Sequence, residues 1–262
     1  MKYYSVSPGA KLADFVHYFW ILEGTINEDQ SYTLRTTASP FPELIFHYRG
    51  TFAELLSNQK SAPSFSSGIH GQTNRHRQFT INENFGMIGA QLYPYALKTL
   101  FNIPAIEFAN ELPELSSFLR PADHSISRRI FEATDNNKRI QIISTFLETR
   151  ISEFKRPEIV YAVQEIIKNN GSLAIKQLAA DCCNSQRQFE RNFKDLTGFT
   201  AKSFSRIVRF NALQQTADFK KQSLTQIALQ FGYYDQAHFI NDCKEFSGLN
   251  PVAYFSEKST PQ

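Results

Sequence analysis

The chain has 262 residues, of which 42% are apolar and 20% charged, and its formal net charge is +3. That length suffices for two domains with real cores, the composition is ordinary for a globular protein, and so slight a charge makes any basic character local rather than global. The opening Met1-Lys-Tyr-Tyr-Ser carries no long apolar run, and no stretch approaches membrane-spanning length, so we expect a soluble, cytoplasmic protein without a membrane partner.

In chain order, the first half reads as short strands. Phe15–Leu22, Glu43–Tyr48, Gln78–Ile81 and Phe85–Leu92 are rich in β-branched and aromatic residues, and Gly, Pro, Ser and Asn separate them. Weaker strands are expected over Ser31–Thr37 and Ser66–Gly71. The pattern is that of a small barrel or sandwich, cupin-like in class. After Pro94 it turns helical, with short pieces at Tyr95–Phe101 and Ile106–Asn110. Helical periodicity then runs from about Ser125 to Phe154, with an apolar stripe of Ile140, Ile143, Leu147 and Ile151. That stripe is expected to pack between domains or against a second subunit, or else to cover the barrel of its own chain.

Arg156-Pro157 marks a boundary, followed by a helix with the stripe Ile159, Val160, Val163, Ile166, Ile167. Beyond it the chain says nearly the same thing twice. Ile175-x-x-Leu178-Ala179-x-x-Cys182 returns as Leu224-x-x-Ile227-Ala228-x-x-Phe231. Phe189-x-x-x-Phe193-Lys-Asp-Leu196-x-Gly198 returns as Phe239-x-x-x-Cys243-Lys-Glu-Phe246-x-Gly248. Each copy spells two short amphipathic helices around a break, Cys183-Asn184 in the first and Gly232-Tyr233-Tyr234 in the second, which is a duplicated helix-turn-helix. Ser185 with Gln188, and Ser223 with Gln226, predict capping boxes. Asp235 is a predicted N-cap, and Gly198 and Gly248 are predicted left-handed C-caps. Between the copies, Lys202 to about Phe219 predicts one long helix with Phe204, Ile207, Val208 and Asn211 on one face.

Periodicity alone would also suit a helical bundle or a protein-interaction module; the surface residues discriminate. On the first copy's second helix Gln186, Arg187, Glu190, Arg191 and Lys194 are not needed for the core, and such side chains hydrogen-bond bases or pair with phosphates. From Asp181 to Lys221 eight Lys/Arg face four Asp/Glu, a local positive surplus. Residues from about Leu173 to Tyr254 resemble the DNA-binding domain of AraC-type (AraC/XylS) transcriptional activators, most specifically along Leu224–Pro251. The resemblance implies double-stranded DNA as partner, with two recognition helices in successive major grooves held apart by the long helix. By position Gln186, Arg187, Glu190 and Arg191 match the base-reading face of the first unit, and Gln236, Ala237, His238 and Asn241 that of the second. Ser185, Lys194 and Lys244 complete the DNA-binding set. Asn241 stands where the family often has a basic residue, and Cys243 where it has a large apolar one. RNA polymerase is a partner expected at the family level only.

The first half carries a less specific resemblance. Leu12-Ala-x-Phe15-Val-x-x-Phe19-Trp20-x-Leu22-Glu23, Pro42–Tyr48 and Gly89-Ala-x-Leu92-x-Pro94 are similar to a β-rich N-terminal domain of bacterial AraC-type regulators, which implies a small-molecule effector or a homodimer contact. The expected organisation is a β-rich sensor or dimerisation domain over 1–110, a helical linker over 111–156 and the double helix-turn-helix over 157–262. His17, His47, His70 and His76 are scattered for metal ligands, and His70 and His76, six apart with Arg75 and Arg77 beside the second, make a poor pair. No nucleophile elbow, phosphate loop or carboxylate pair appears, so neither an enzyme nor a cofactor is expected. The alternative is an alkyl- or metal-responsive protein using its cysteines, such as the adjacent Cys182-Cys183, or its histidines, with DNA binding as delivery.

Overall fold

A computed structural model describes residues 1–56, 60–153, 156–182, 185–216 and 222–259. It divides into two compact units: Met1–Arg35, Phe41–Gln72 and Arg77–Lys155 form one, and Thr36–Pro40, Thr73–His76 and Arg156–Gln262 the other.

The first unit holds two antiparallel sheets. The five-stranded sheet has the order β1 (Lys2–Val6), β2 (Val16–Gly24), β9 (Phe85–Leu92), β4 (Glu43–Arg49), β7 (Ser67–His70). The four-stranded sheet runs β3 (Tyr32–Thr36), β8 (Arg77–Ile81), β5 (Ala53–Leu55), β6 (Ser61–Pro63). Side chains alternate across a strand, so a sheet covered on both faces needs continuous apolar runs. β9 meets that condition, being buried at every position. It and its central partners send Trp20, Leu22, Ile45 and Met87 inward, where Phe79 and Ile81 of β8 meet them. Phe19, Ile21, Leu44, Phe46 and Ile88 face the other way, toward the helices.

Those helices are α1 (Ala96–Phe101), α2 (Ser125–Glu132) and α3 (Asn136–Glu148). The expected single helical stretch from Ser125 is thus broken, because Asp135 turns extended and its carboxylate caps α3 at the Lys138 amide, 2.9 Å away. The Ile140 stripe belongs to this unit's own core: Ile143 and Leu147 are fully buried against the sheet, Ile140 packs beside them, and Ile151 lies past the helix end and exposed. Of the two expectations for that stripe, cover for the sheet of its own chain is the one met at Ile143 and Leu147. Ile106–Asn110 forms only a short 3-10 turn, Ala105–Glu107.

The second unit is helical: α4 (Pro157–Lys168), α5 (Ile175–Asp181), α6 (Gln186–Thr197), α7 (Ala201–Thr216), α8 (Leu224–Gln230), α9 (Gln236–Ser247) and α10 (Pro251–Ser259). Phe204, Ile207 and Val208 of α7 are buried as expected, and Asn211 half-buried. Cys183, Asn184, Phe154 and the predicted end of the long helix at Phe219 lie outside the described residues.

Candidate nucleic-acid interface

The duplication is visible atom by atom. α6 and α9 are both twelve residues long and close on a left-handed glycine, Gly198 at φ 81° and Gly248 at φ 77°, where a side chain would be strained. Phe189, Phe193 and Leu196 are buried in the first copy, and Phe239, Cys243 and Phe246 in the second. Even the last hydroxyl repeats. Thr197 Oγ1 donates to the Phe193 carbonyl and accepts from the Phe199 amide, while Ser247 Oγ donates to the Cys243 carbonyl and accepts from the Leu249 amide.

The entry to each helix is also built as the sequence suggested, with one difference. Ser223 and Gln226 form a complete capping box on α8, and Asp235 caps α9 at the His238 amide, 2.7 Å away. Ser185 caps α6 by accepting from the Gln188 amide, but the reciprocal half is missing. The Gln188 side chain is used elsewhere: it donates to Asn192 Oδ1 and accepts from Arg191, both at 2.8 Å.

With cores and caps so placed, the remaining side chains of α6 and α9 form their outer faces. Gln186, Arg187, Arg191 and Lys194 are exposed on α6, and Ala237, Asn241 and Lys244 on α9. Gln236 and His238 are half-buried. Gln236 accepts from Thr225 across the turn (2.8 Å), and His238 stands 3.9 Å from the Asp242 carboxylate with its ring edge-on to Tyr233. Glu190 is half-buried, and its carboxylate accepts from the Ala201 amide at the start of α7. Arg191 does not pair with Asp195, which is bound by Arg156 instead at 2.7 Å.

Arg206 shows where counting charge overreached. It adds to the positive surplus in the sequence, yet its guanidinium holds the buried Asp242 (2.6 Å) and Glu245 (2.7 Å), tying α7 to α9. Arg209 donates to the Gly171 carbonyl and lies over the Tyr233 ring. Lys220 and Lys221 are outside the described residues. No sequence signal singled out the Arg206–Asp242 pair; thirty-six positions separate its members.

These features converge with the comparisons. Residues 178–257 match a family model described as a helix-turn-helix domain. The C-terminal segment is an AraC-type helix-turn-helix domain. Residues 4–114 match a second model, described as a domain of unknown function, DUF6597. A solved structure of ToxT from Vibrio cholerae O395 is 13% identical over 93% of this chain and 99% of that one, with a TM-score of 0.50; the likeness is one of two-domain fold. A second ToxT crystal form from Vibrio cholerae is 11% identical over 91% and 97%, with a TM-score of 0.48. Comparison with curated proteins gives no match. The AraC-type domain makes this chain a DNA-binding regulator.

The chemistry of the alternative reading finds little to work with. Cys182 and Cys243 are buried. The Cys182 thiol donates to the Glu158 carbonyl, and burial pushes the Cys243 thiol up to about 11, far from a reactive thiolate. Cys183 is outside the described residues. Burial takes His47 and His70 down to about 4, and each packs against a phenylalanine ring, His47 on Phe52 and His70 on Phe79. Among the described residues no three His, Cys, Asp or Glu side chains are grouped to hold a metal ion. None of the described helices is long and apolar enough to cross a membrane.

Proposed function

We propose that the protein is a sequence-specific transcription regulator that lays α6 and α9 into successive major grooves of double-stranded DNA, in the cytoplasm, and whose N-terminal unit answers a small effector or a second copy of the chain. RNA polymerase is the partner through which such a regulator would act. The observation that carries this reading is the pair of matched helices whose cores, caps and last hydroxyls repeat while their outer faces differ. The first face offers Arg187 and Arg191, both exposed and one helical turn apart. The second offers Ala237, His238 and Asn241, with no basic residue before Lys244.

The division of labour follows. A bidentate Arg–guanine pair discriminates by roughly 1–3 kcal/mol, so Arg187→Ala should relax base preference in one half of the site. Asn241→Ala should weaken binding with a smaller change in preference. Selection from randomised DNA at one fixed salt concentration measures both. Greater loss of preference in Asn241→Ala than in Arg187→Ala would refute the assignment.

A further inference from the structure

On the inner face of the five-stranded sheet, the register brings four polar side chains into one row. Tyr18 of β2 lies opposite Gln91 of β9, Gln91 opposite Glu43 of β4, and Glu43 opposite His70 of β7. Side chains so opposed stand within reach of one another. The next row, Trp20, Gly89, Ile45 and Gly68, has no charged group, so the polar row marks one end of the sheet. Glu43 and Tyr18 are only half-buried there, and Tyr3, which also feels the Glu43 charge, is 57% exposed.

Glu43 is the unusual member. Gln91 Nε2 donates to its Oε1 at 3.1 Å, and Gln91 Oε1 in turn meets His17 Nδ1 at 2.9 Å. Among the described residues no Lys or Arg side chain is paired with this carboxylate. Three other carboxylates of the unit are matched: Glu54 by Arg77, Asp123 by Arg150, Glu23 by Tyr48 and Asn136. Burial lifts the Glu43 carboxyl to about 7, and its charge raises the Tyr18 phenol beyond what burial does. Beside it, the buried His70 Nε2 has no hydrogen-bond partner.

A carboxylate partly withdrawn from water without a cation is costly. The same place offers tyrosine rings, whose faces attract cations. One class of molecule supplies both a positive charge for Glu43 and N–H donors for the oxygen that Gln91 does not hold. We propose that this end of the sheet binds an organic ammonium ion, held by Glu43 with Tyr18, Tyr3 and His70 around it, and that this is the effector site of the N-terminal unit. The effector role rests on the regulatory reading above; the binding does not, and it can be measured without DNA.

Trp20 is the chain's only tryptophan and follows Tyr18 on the same face of β2, so its fluorescence reports on the row. The full chain titrated with n-butylammonium chloride at pH 8.5 should give a saturable change, with n-butanol at least tenfold weaker. Glu43→Gln should abolish it. Tyr3→Leu, at an exposed strand position, should weaken it severalfold and serves as the second variant should circular dichroism show Glu43→Gln to be misfolded. The site needs the ionised carboxylate, so binding is present above the raised value and lost below it; at pH 5.5 affinity should fall at least tenfold. The groups facing Glu43 are Tyr3, Tyr18, His70 and, through Gln91, His17, and whatever response Glu43→Gln retains must lack that pH dependence. Equal responses to butylammonium and butanol, or unchanged affinity in the two variants, would overturn the proposal. Saturable binding that leaves operator affinity unaltered would overturn the effector role alone, and absence of any DNA binding would sink the regulator reading instead.

Discussion

Asp242→Ala should lower the stability of the DNA-binding unit by about 3 kcal/mol, the low end of the cost of removing one partner from a buried ion pair. The Asp242 side chain is 1% exposed, and its Oδ1 receives both Nε and Nη2 of Arg206 at 3.2 and 2.6 Å. Removing it leaves the guanidinium in place over the Phe246 ring with only the half-exposed Glu245 as partner. That residual partner is why the low end applies. The pair joins α7 to α9, so its loss should also loosen the second reading helix. Urea denaturation of the full chain, followed through the helical signal, measures the change. A loss below about 1 kcal/mol, the scale of an exposed pair, would mean that Glu245 and water replace Asp242 fully.

Leu147→Glu should unfold the N-terminal unit. Leu147 and Ile143 are both fully buried, in the same cluster as Phe19, Leu44 and Ile88 of the sheet. Truncating such a leucine to alanine costs roughly 2–5 kcal/mol, and glutamate adds a buried charge with no partner. The checks are loss of the thermal transition of this unit and rapid proteolysis between residues 1 and 150. A folded Leu147→Glu chain of unchanged stability that differs only in association state would return the stripe to the role of a contact between copies.

How much of this was legible in the residues depended on whether the signal was local. β9 and the two halves of the helix-turn-helix repeat announce themselves, since their apolar spacing, caps and closing glycines all lie within a dozen positions. β1, β5 and β6 gave no such signal. β1 is an edge strand with four of five side chains exposed, and the other two have three residues each, one of them ending in Pro63, so none carries an apolar run. α10 begins at Pro251 itself and was hidden by a proline that starts a helix rather than ending one. For the site, the sequence identified which α6 and α9 residues are free of the core, yet periodicity cannot say that Glu190 turns back to the Ala201 amide. Glu43 is the clearest case of the limit. In sequence it merely opens an apolar strand, and only the pairing of β4 with both β7 and β9 sets it between His70 and Gln91.

The α7 helix has a consequence for the DNA itself. Its 16 residues span about 24 Å, and Arg206 and Arg209 fasten its middle to α9 and to the Gly171 carbonyl that follows α4. A strut held in this way neither stretches nor bends on demand. Substituted bases in an operator would then weaken binding by degrees, whereas inserted bases would act abruptly. Adding about five base pairs, half a turn of the duplex, between the two half-sites would carry one of them to the opposite side of the DNA, out of reach. Genuine operators would share a constant gap before they share letters.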